Sequence, residues 1–136
     1  MEILNIEKDT EVLCVTARSF PNGIMEAFQI LGSKLPIGEN RQVYGISYPG
    51  KKGEIIYKAA QTALHEREAG EYGLETFIIK EGAYISRFIP NFRDDVKSIG
   101  EAFTELLAYP GIDPNGYCLE MYVGPAAVRC MVGLKS

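Results

Sequence analysis

The stretch Glu11-Val12-Leu13-Cys14-Val15-Thr16-Ala17-Arg18-Ser19-Phe20-Pro21-Asn22-Gly23-Ile24-Met25-Glu26-Ala27-Phe28 changes its period midway, and that change decides the fold. Over Glu11–Phe20, Val12, Cys14 and Thr16 alternate with Leu13, Val15 and Ala17, which predicts a strand. From Ile24 onward the apolar positions Ile24, Ala27, Phe28, Leu31 and Leu35 follow helical spacing. Pro21-Asn22-Gly23 opens this helix, and Pro36 and Gly38 stop it. Two strands are expected next, Gln42–Tyr48 and Glu54–Leu64. They are joined by Pro49-Gly50-Lys51-Lys52-Gly53, which reads as an exposed hairpin turn and lacks the ending of a phosphate loop.

The second half repeats the order. Leu74–Lys80 and Ala83–Phe88 read as strands joined at Glu81-Gly82. Pro90-Asn91 opens a helix with Asp94 and Asp95 in its first turn and apolar positions Val96, Ile99, Phe103, Leu106 and Leu107. After Pro110-Gly111, strands Tyr117–Val123 and Val128–Leu134 follow. Glu26-Ala27-Phe28 recurs as Glu101-Ala102-Phe103, and Leu35-Pro36 corresponds to Tyr109-Pro110. Ile46-Ser47-Tyr48-Pro49-Gly50 corresponds to Glu120-Met121-Tyr122-Val123-Gly124. The expectation is a single α+β domain over residues 1–136, with pseudo-repeats at about 10–65 and 74–135. Duplicated β-α-β-β units would form an antiparallel sheet with two helices on one face, and a central ligand pocket would follow the seam between the halves.

Within Cys118-Leu119-Glu120-Met121-Tyr122-Val123, alternation gives Leu119, Met121 and Val123 a core face. Cys118, Glu120 and Tyr122 share the other face. A carboxylate withdrawn from water needs a partner, a proton or a ligand. In the repeat register Glu120 replaces Ile46, an acid where packing alone asks for an apolar side chain. Two readings stay open: a ligand-contacting acid, or a carboxylate paired with Arg87, Arg129 or Lys58 on neighbouring strands.

The rest of the composition narrows the classes. The chain has 136 residues, 46% hydrophobic and 24% charged, as in a globular domain with its own core. A net charge of −4, with no basic cluster beyond Lys51-Lys52, argues against direct nucleic-acid binding. Met1–Thr10 is charged and short of apolar residues, so it reads as neither signal peptide nor membrane span, and no later run is long enough to cross a bilayer. Cys14, Cys118 and Cys130 each lie in a strand-like run and read as buried free thiols of a cytoplasmic protein. No Cys/His cluster suggests a metal, and no cofactor is expected. His65 is the only histidine, which leaves haem, serine-hydrolase and metal-hydrolase chemistry without a second base or enough nitrogen ligands. Glu66–Gly73 reads as a solvated connector.

The succession Val43-Tyr44-Gly45-Ile46-Ser47-Tyr48, Ile56-Tyr57-Lys58-Ala59-Ala60, Lys80-Glu81-Gly82-Ala83-Tyr84 and Leu119-Glu120-Met121-Tyr122 resembles the gyrase-inhibitor-like (GyrI-like) family. This family includes the effector-binding domains of bacterial multidrug-responsive transcription activators. The resemblance covers most of residues 10–134 and implies a duplicated β-α-β-β fold with a central cavity for bulky hydrophobic, cationic or aromatic molecules. It implies that Glu120, at the Glu-x-Tyr position, contacts ligand, and that Tyr44, Tyr57, Tyr84 and Tyr122 line the cavity. Phe28 would fill the place of a helix Trp that many relatives carry and this chain lacks. The residues ahead of the domain do not read as a helix-turn-helix segment either, so a stand-alone binding module is expected.

Two alternatives follow from the same resemblance. One is a hydrolase of reactive electrophiles in which Glu120 activates water and Tyr84 or Tyr122 donates a proton. The other is a protein-interaction module of the gyrase-inhibitor kind, acting on a protein partner.

Overall fold

Residues 1–136 are described by a computed structural model. Eight strands and three α-helices follow one another: β1 (Glu2–Ile6), β2 (Thr10–Thr16), α1 (Ile24–Lys34), β3 (Val43–Pro49), β4 (Ile55–Thr62), α2 (Glu68–Tyr72), β5 (Glu75–Ile79), β6 (Gly82–Ile89), α3 (Ser98–Leu107), β7 (Cys118–Val123) and β8 (Ala127–Gly133). The class is α+β. The chain divides into two compact units, one of residues Asp9–Ile79 and one of Met1–Lys8 with Lys80–Ser136.

In the Asp9–Ile79 unit the strand order is β3-β4-β2-β5, all pairs antiparallel. The strand β2 ends at Thr16 rather than Phe20, and residues after it turn toward α1. Gly23 precedes the helix because nothing larger fits: a Cβ there would lie 2.7 Å from the Ser19 carbonyl oxygen. At the far end Leu35 adopts an extended backbone, as the residue before Pro36 must. Helix α1 lays Ala27 and Leu31 on Leu13 of β2 and Ala59 of β4, with Phe28 and Val15 at the margin. Burying a leucine of this kind contributes about 2 kcal/mol.

The opposite face carries Val12, Cys14, Ile46, Ala60 and Ile79, each at most 1% exposed. Tyr48 of β3 and Phe77 of β5 stack on this face with ring centroids 6.2 Å apart. Their strands are three steps apart in the order, about 14 Å in a flat sheet. The sheet of this unit therefore curls, with its helix-free face inside.

The second unit has the order β1-β6-β8-β7, again antiparallel. Helix α3 lays Ala102 and Leu106 on Ile85, Val128, Cys130 and Val132.

Four features correct or extend the sequence reading. Met1–Thr10 contains a strand, β1, which pairs Glu2–Ile6 with Ser86–Gly82. Helix α3 begins at Ser98, and Asp94 closes a separate 3-10 turn, Phe92–Asp94. Asp95 is extended and accepts the Lys97 and Ser98 N–H groups, which ends that turn and leaves Val96 88% exposed outside the helix. Glu66–Gly73 is not a solvated connector, since it holds α2, whose Ala69 and Tyr72 pack on the α1 core. Gly73 closes α2 in the left-handed region, at φ 63°.

The fourth correction concerns register. Glu120 stands opposite Cys130, beneath α3. In the other unit the residue opposite Ala59, beneath α1, is Gly45, while Ile46 stands opposite Lys58 on the face turned away from the helix. The counterpart of Glu120 by face is thus Gly45, not Ile46. A one-residue slip exchanges the two faces of a strand. Leu119, as expected, is fully buried on the opposite face, but Met121 is only half-buried and Val123 is exposed.

Candidate ligand-binding site

Strand β7 places Cys118, Glu120 and Tyr122 on the face that α3 covers, opposite Val132, Cys130 and Val128 respectively. Glu120 is 8% exposed. The Tyr122 hydroxyl donates to Glu120 Oε1 at 2.5 Å, a two-residue reach along one face of the strand. Phe92 meets the Tyr122 ring edge-to-face at 5.6 Å and 66°. The neighbouring apolar wall is Ala102, Leu106, Val128 and Val132. Burial, and then the charge of Glu120, push the Cys130 thiol up to about 12, so this cysteine stays protonated and inert at neutral pH. A carboxylate, a phenol and a phenyl ring thus lie together beside the α3 core, groups whose chemistry suits an organic cation.

The cations weighed as partners for Glu120 have their own acids. Arg87 pairs with Glu105 at 2.7 Å, and Arg129 with Glu2 at 2.9 Å while lying over the Phe88 ring. Lys58, in the other unit, pairs with Glu75 at 2.9 Å.

Tyr84 lies on the opposite face of β6, since it stands across from Gly133 while Ile85 meets the α3 core. Its hydroxyl donates to the Lys80 carbonyl and meets the Tyr117 hydroxyl, both at 2.7 Å. Glu120 and Tyr84 are therefore not assembled as an acid–base pair, whereas Glu120 and Tyr122 are assembled.

In the Asp9–Ile79 unit, Tyr57 is 2% exposed and faces α1. Phe28 meets it edge-on at 6.2 Å and Phe20 stacks on it at 6.0 Å. Tyr44 lies on the other face of that sheet, opposite Ala60, and burial raises its phenol above the ordinary value. Of the expected aromatic residues, then, Tyr57 and Phe28 come together, and Tyr44 stands apart from them.

Two polar clusters in this unit have no forewarning in the sequence reading. Arg41, 8% exposed, reaches both Glu68 oxygens, at 2.9 and 2.5 Å, and also bonds Glu39 and the Thr62 carbonyl. The Leu64 N–H adds a further bond to Glu68. The Arg41 hydrogen bonds, opposed by burial and helped by the Leu64 amide, pull the Glu68 carboxyl down to about 2.

In the second cluster, Lys58 Nζ donates to Thr16 Oγ1 at 2.7 Å and to Glu75 Oε1 at 2.9 Å. The Thr16 N–H and O–H also face Glu75, at 3.0–3.3 Å. Burial works to raise the Glu75 carboxyl, but these hydrogen bonds outweigh it and the net shift is downward.

An open cleft of about 590 Å³ adjoins this second cluster, lined by residues 16–20 and 53–56. A smaller cavity of about 130 Å³ in the other unit holds Tyr84 and Tyr117. No group of three or more His, Cys, Asp or Glu side chains is arranged to hold a metal ion, and no helix is long and apolar enough to cross a membrane. The three cysteines are free.

No protein-family model matches this chain, and no curated protein does. Solved structures share its fold at low identity. The integron cassette protein VCH_CASS2, from the mobile metagenome of Vibrio cholerae, superposes with a TM-score of 0.68 at 15% identity, over 98% of this chain and 95% of that one. A protein from Staphylococcus aureus MU50 assigned to bacterial transcription regulation gives 0.67 at 11%, over 99% and 97%. The structure of SAV2435 bound to tetraphenylphosphonium gives 0.62 at 9%, over 99% and 93%. At these identities the likeness is one of fold.

Proposed function

We propose that this chain is a binding domain of the gyrase-inhibitor-like kind for hydrophobic organic cations, serving as an effector-sensing module in regulation. Glu120 is the charge-recognition residue, and Tyr122 and Phe92 form the aromatic wall beside it. The observation that carries this reading is the Glu120 carboxylate itself, 8% exposed on an apolar, helix-covered face and hydrogen-bonded by a phenol from its own strand. Burying an acid in such surroundings has a cost that packing alone does not explain. A cation delivered to it gains Coulomb energy and about 0.5–2 kcal/mol per ring contact. The fold likeness to SAV2435, whose structure holds a lipophilic phosphonium cation, supports the ligand class. In the Asp9–Ile79 unit, Tyr57 with Phe28 and Phe20 is an aromatic surface of similar chemistry.

The test is calorimetric titration with tetraphenylphosphonium. The wild-type protein binds it, and Glu120→Gln weakens binding by about tenfold or more, the loss of one charge-assisted interaction. Equal affinity in the two proteins removes Glu120 from the role.

A further inference from the structure

We propose that the Thr16–Lys58 corner of the Asp9–Ile79 unit is a binding site for small amphipathic organic acids, and that Glu75 occupies it in cis. Three donors converge there on one carboxylate: the Thr16 N–H at 3.3 Å, the Thr16 hydroxyl at 3.0 and 3.1 Å, and Lys58 Nζ at 2.9 Å. Lys58 is itself held in place by its bond to Thr16 Oγ1, and its side chain is 12% exposed. This is a built anion cradle, with a cation, a hydroxyl and a backbone amide in fixed positions.

The carboxylate now in the cradle comes from an edge strand, β5, and its side chain is 52% exposed. An ion pair of that exposure is a weak lock, because water can replace the cradle around Glu75 when the side chain turns outward.

The cleft supplies the way in. Thr16 belongs both to the cradle and to the lining of the 590 Å³ cleft. Ile56, two residues before Lys58 and on the same sheet face, lines it too, together with Phe20 and Ile55, which are 46% and 45% exposed. Of these, Ile56 is the apolar side chain beside the cationic corner, since Ile55 shares the face of Tyr57, on which Phe20 stacks. The backbone of Ile55 also points into the cleft: the Gly50 and Glu54 groups pair with each other beside it, and β2 has turned away beyond Ala17. The other charges lining the cleft are engaged, Arg18 with Glu26 at 3.3 Å and Glu54 with the Lys52 N–H at 3.0 Å. A carboxylate on a ring or short alkyl body matches this arrangement, with the acid in place of Glu75 and the body against Ile56 at the mouth of the cleft.

The experiment titrates 2-naphthoate, with the neutral 2-naphthalenemethanol as control, into wild type, Glu75→Ala, Lys58→Met and Lys58→Arg, each first checked for native circular dichroism and cooperative melting. Removing the internal competitor makes Glu75→Ala bind naphthoate about tenfold more tightly than wild type, Lys58→Met loses that gain, and Lys58→Arg keeps most of it. The neutral alcohol binds several-fold more weakly than the acid in Glu75→Ala. The proposal is overturned if Glu75→Ala and wild type bind naphthoate equally, if Lys58→Met binds as well as Lys58→Arg, or if the alcohol matches the acid. None of these outcomes bears on Glu120, which lies in the other unit and is tested with a ligand of opposite charge.

Discussion

Glu68 in the Asp9–Ile79 unit and Glu120 in the other unit are both withdrawn from water, at 2% and 8% exposure. Glu68 sits in a cage of charge and amide: both oxygens meet Arg41, and the Leu64 N–H adds a further bond. Glu120 accepts from the Tyr122 hydroxyl and stands opposite Cys130 on the face that the α3 core covers. An acid whose donors are fixed and charged is part of the scaffold, since its environment already balances the ionised form. On the function proposed above, an acid beside a phenol and hydrocarbon is the one that takes a charge brought from outside. On that proposal, the donors around a buried carboxylate, rather than its burial, separate a structural acid from a binding one.

The largest effect belongs to the Arg41–Glu68 cage. Arg41→Met leaves Glu68 buried without its cation, and urea unfolding should register a loss of about 3–5 kcal/mol. A result under 1 kcal/mol would mean that the two acids are not held differently after all. The double variant Arg41→Met/Glu68→Leu should recover much of that loss, because well-packed apolar groups often replace a buried pair.

Acid comes next. Glu68 titrates at about 2 in the folded chain against an ordinary 4.5. Its contribution is therefore complete above pH 4.5 and is lost as the pH falls from 4.5 toward 2, a change of roughly 3 kcal/mol by linkage. Urea midpoints across this window should fall steeply for wild type and less steeply for Glu68→Gln.

For Glu120→Gln the contrast predicts the reverse pattern, with stability within about 1 kcal/mol of wild type alongside the loss of phosphonium affinity. A large destabilisation would place Glu120 with Glu68 as scaffold.

The smallest effect is that of Tyr122→Phe. It removes one hydrogen bond to the carboxylate and keeps the ring, and a two- to fivefold change in phosphonium affinity is expected.

Much of this molecule was readable from side-chain periods. The switch from alternation to helical spacing at Gly23, and its recurrence around Glu101-Ala102-Phe103, marked α1, α3 and most of the strands flanking them. What escaped was held by longer-range or backbone forces. Strand β1 is a five-residue edge whose pairing with β6 depends on main-chain groups 76 or more positions away. The side-chain spacing Glu68, Ala69 and Tyr72 would have hinted at α2, but the partner of Glu68 is Arg41, 27 residues earlier and on no shared element. The Ile46–Glu120 equivalence failed for a local reason. Aligning the turn glycines Gly50 and Gly124 ignores that one hairpin has five residues between its strands and the other three, so the faces fall out of step. Glu120 was picked out as an acid within a strand, and that survives; the side of the sheet it faces could be learned only from its pairing with Cys130.

The pairing of β1 with β6, across the whole of the Asp9–Ile79 unit, has a consequence for how the protein is made. Asp9–Ile79 is continuous in sequence, so that unit has all its strands as soon as they leave the ribosome. Strand β1 is synthesised before that unit yet must wait for β6: Ser86, which bonds the Glu2 carbonyl, follows it by 84 residues. At about 5–20 residues per second the nascent chain carries this strand unpaired for roughly 4–17 s. Glu2 and Asn5 along it, and Glu7 and Lys8 just after it, keep the waiting edge polar enough to discourage pairing with a neighbouring nascent chain.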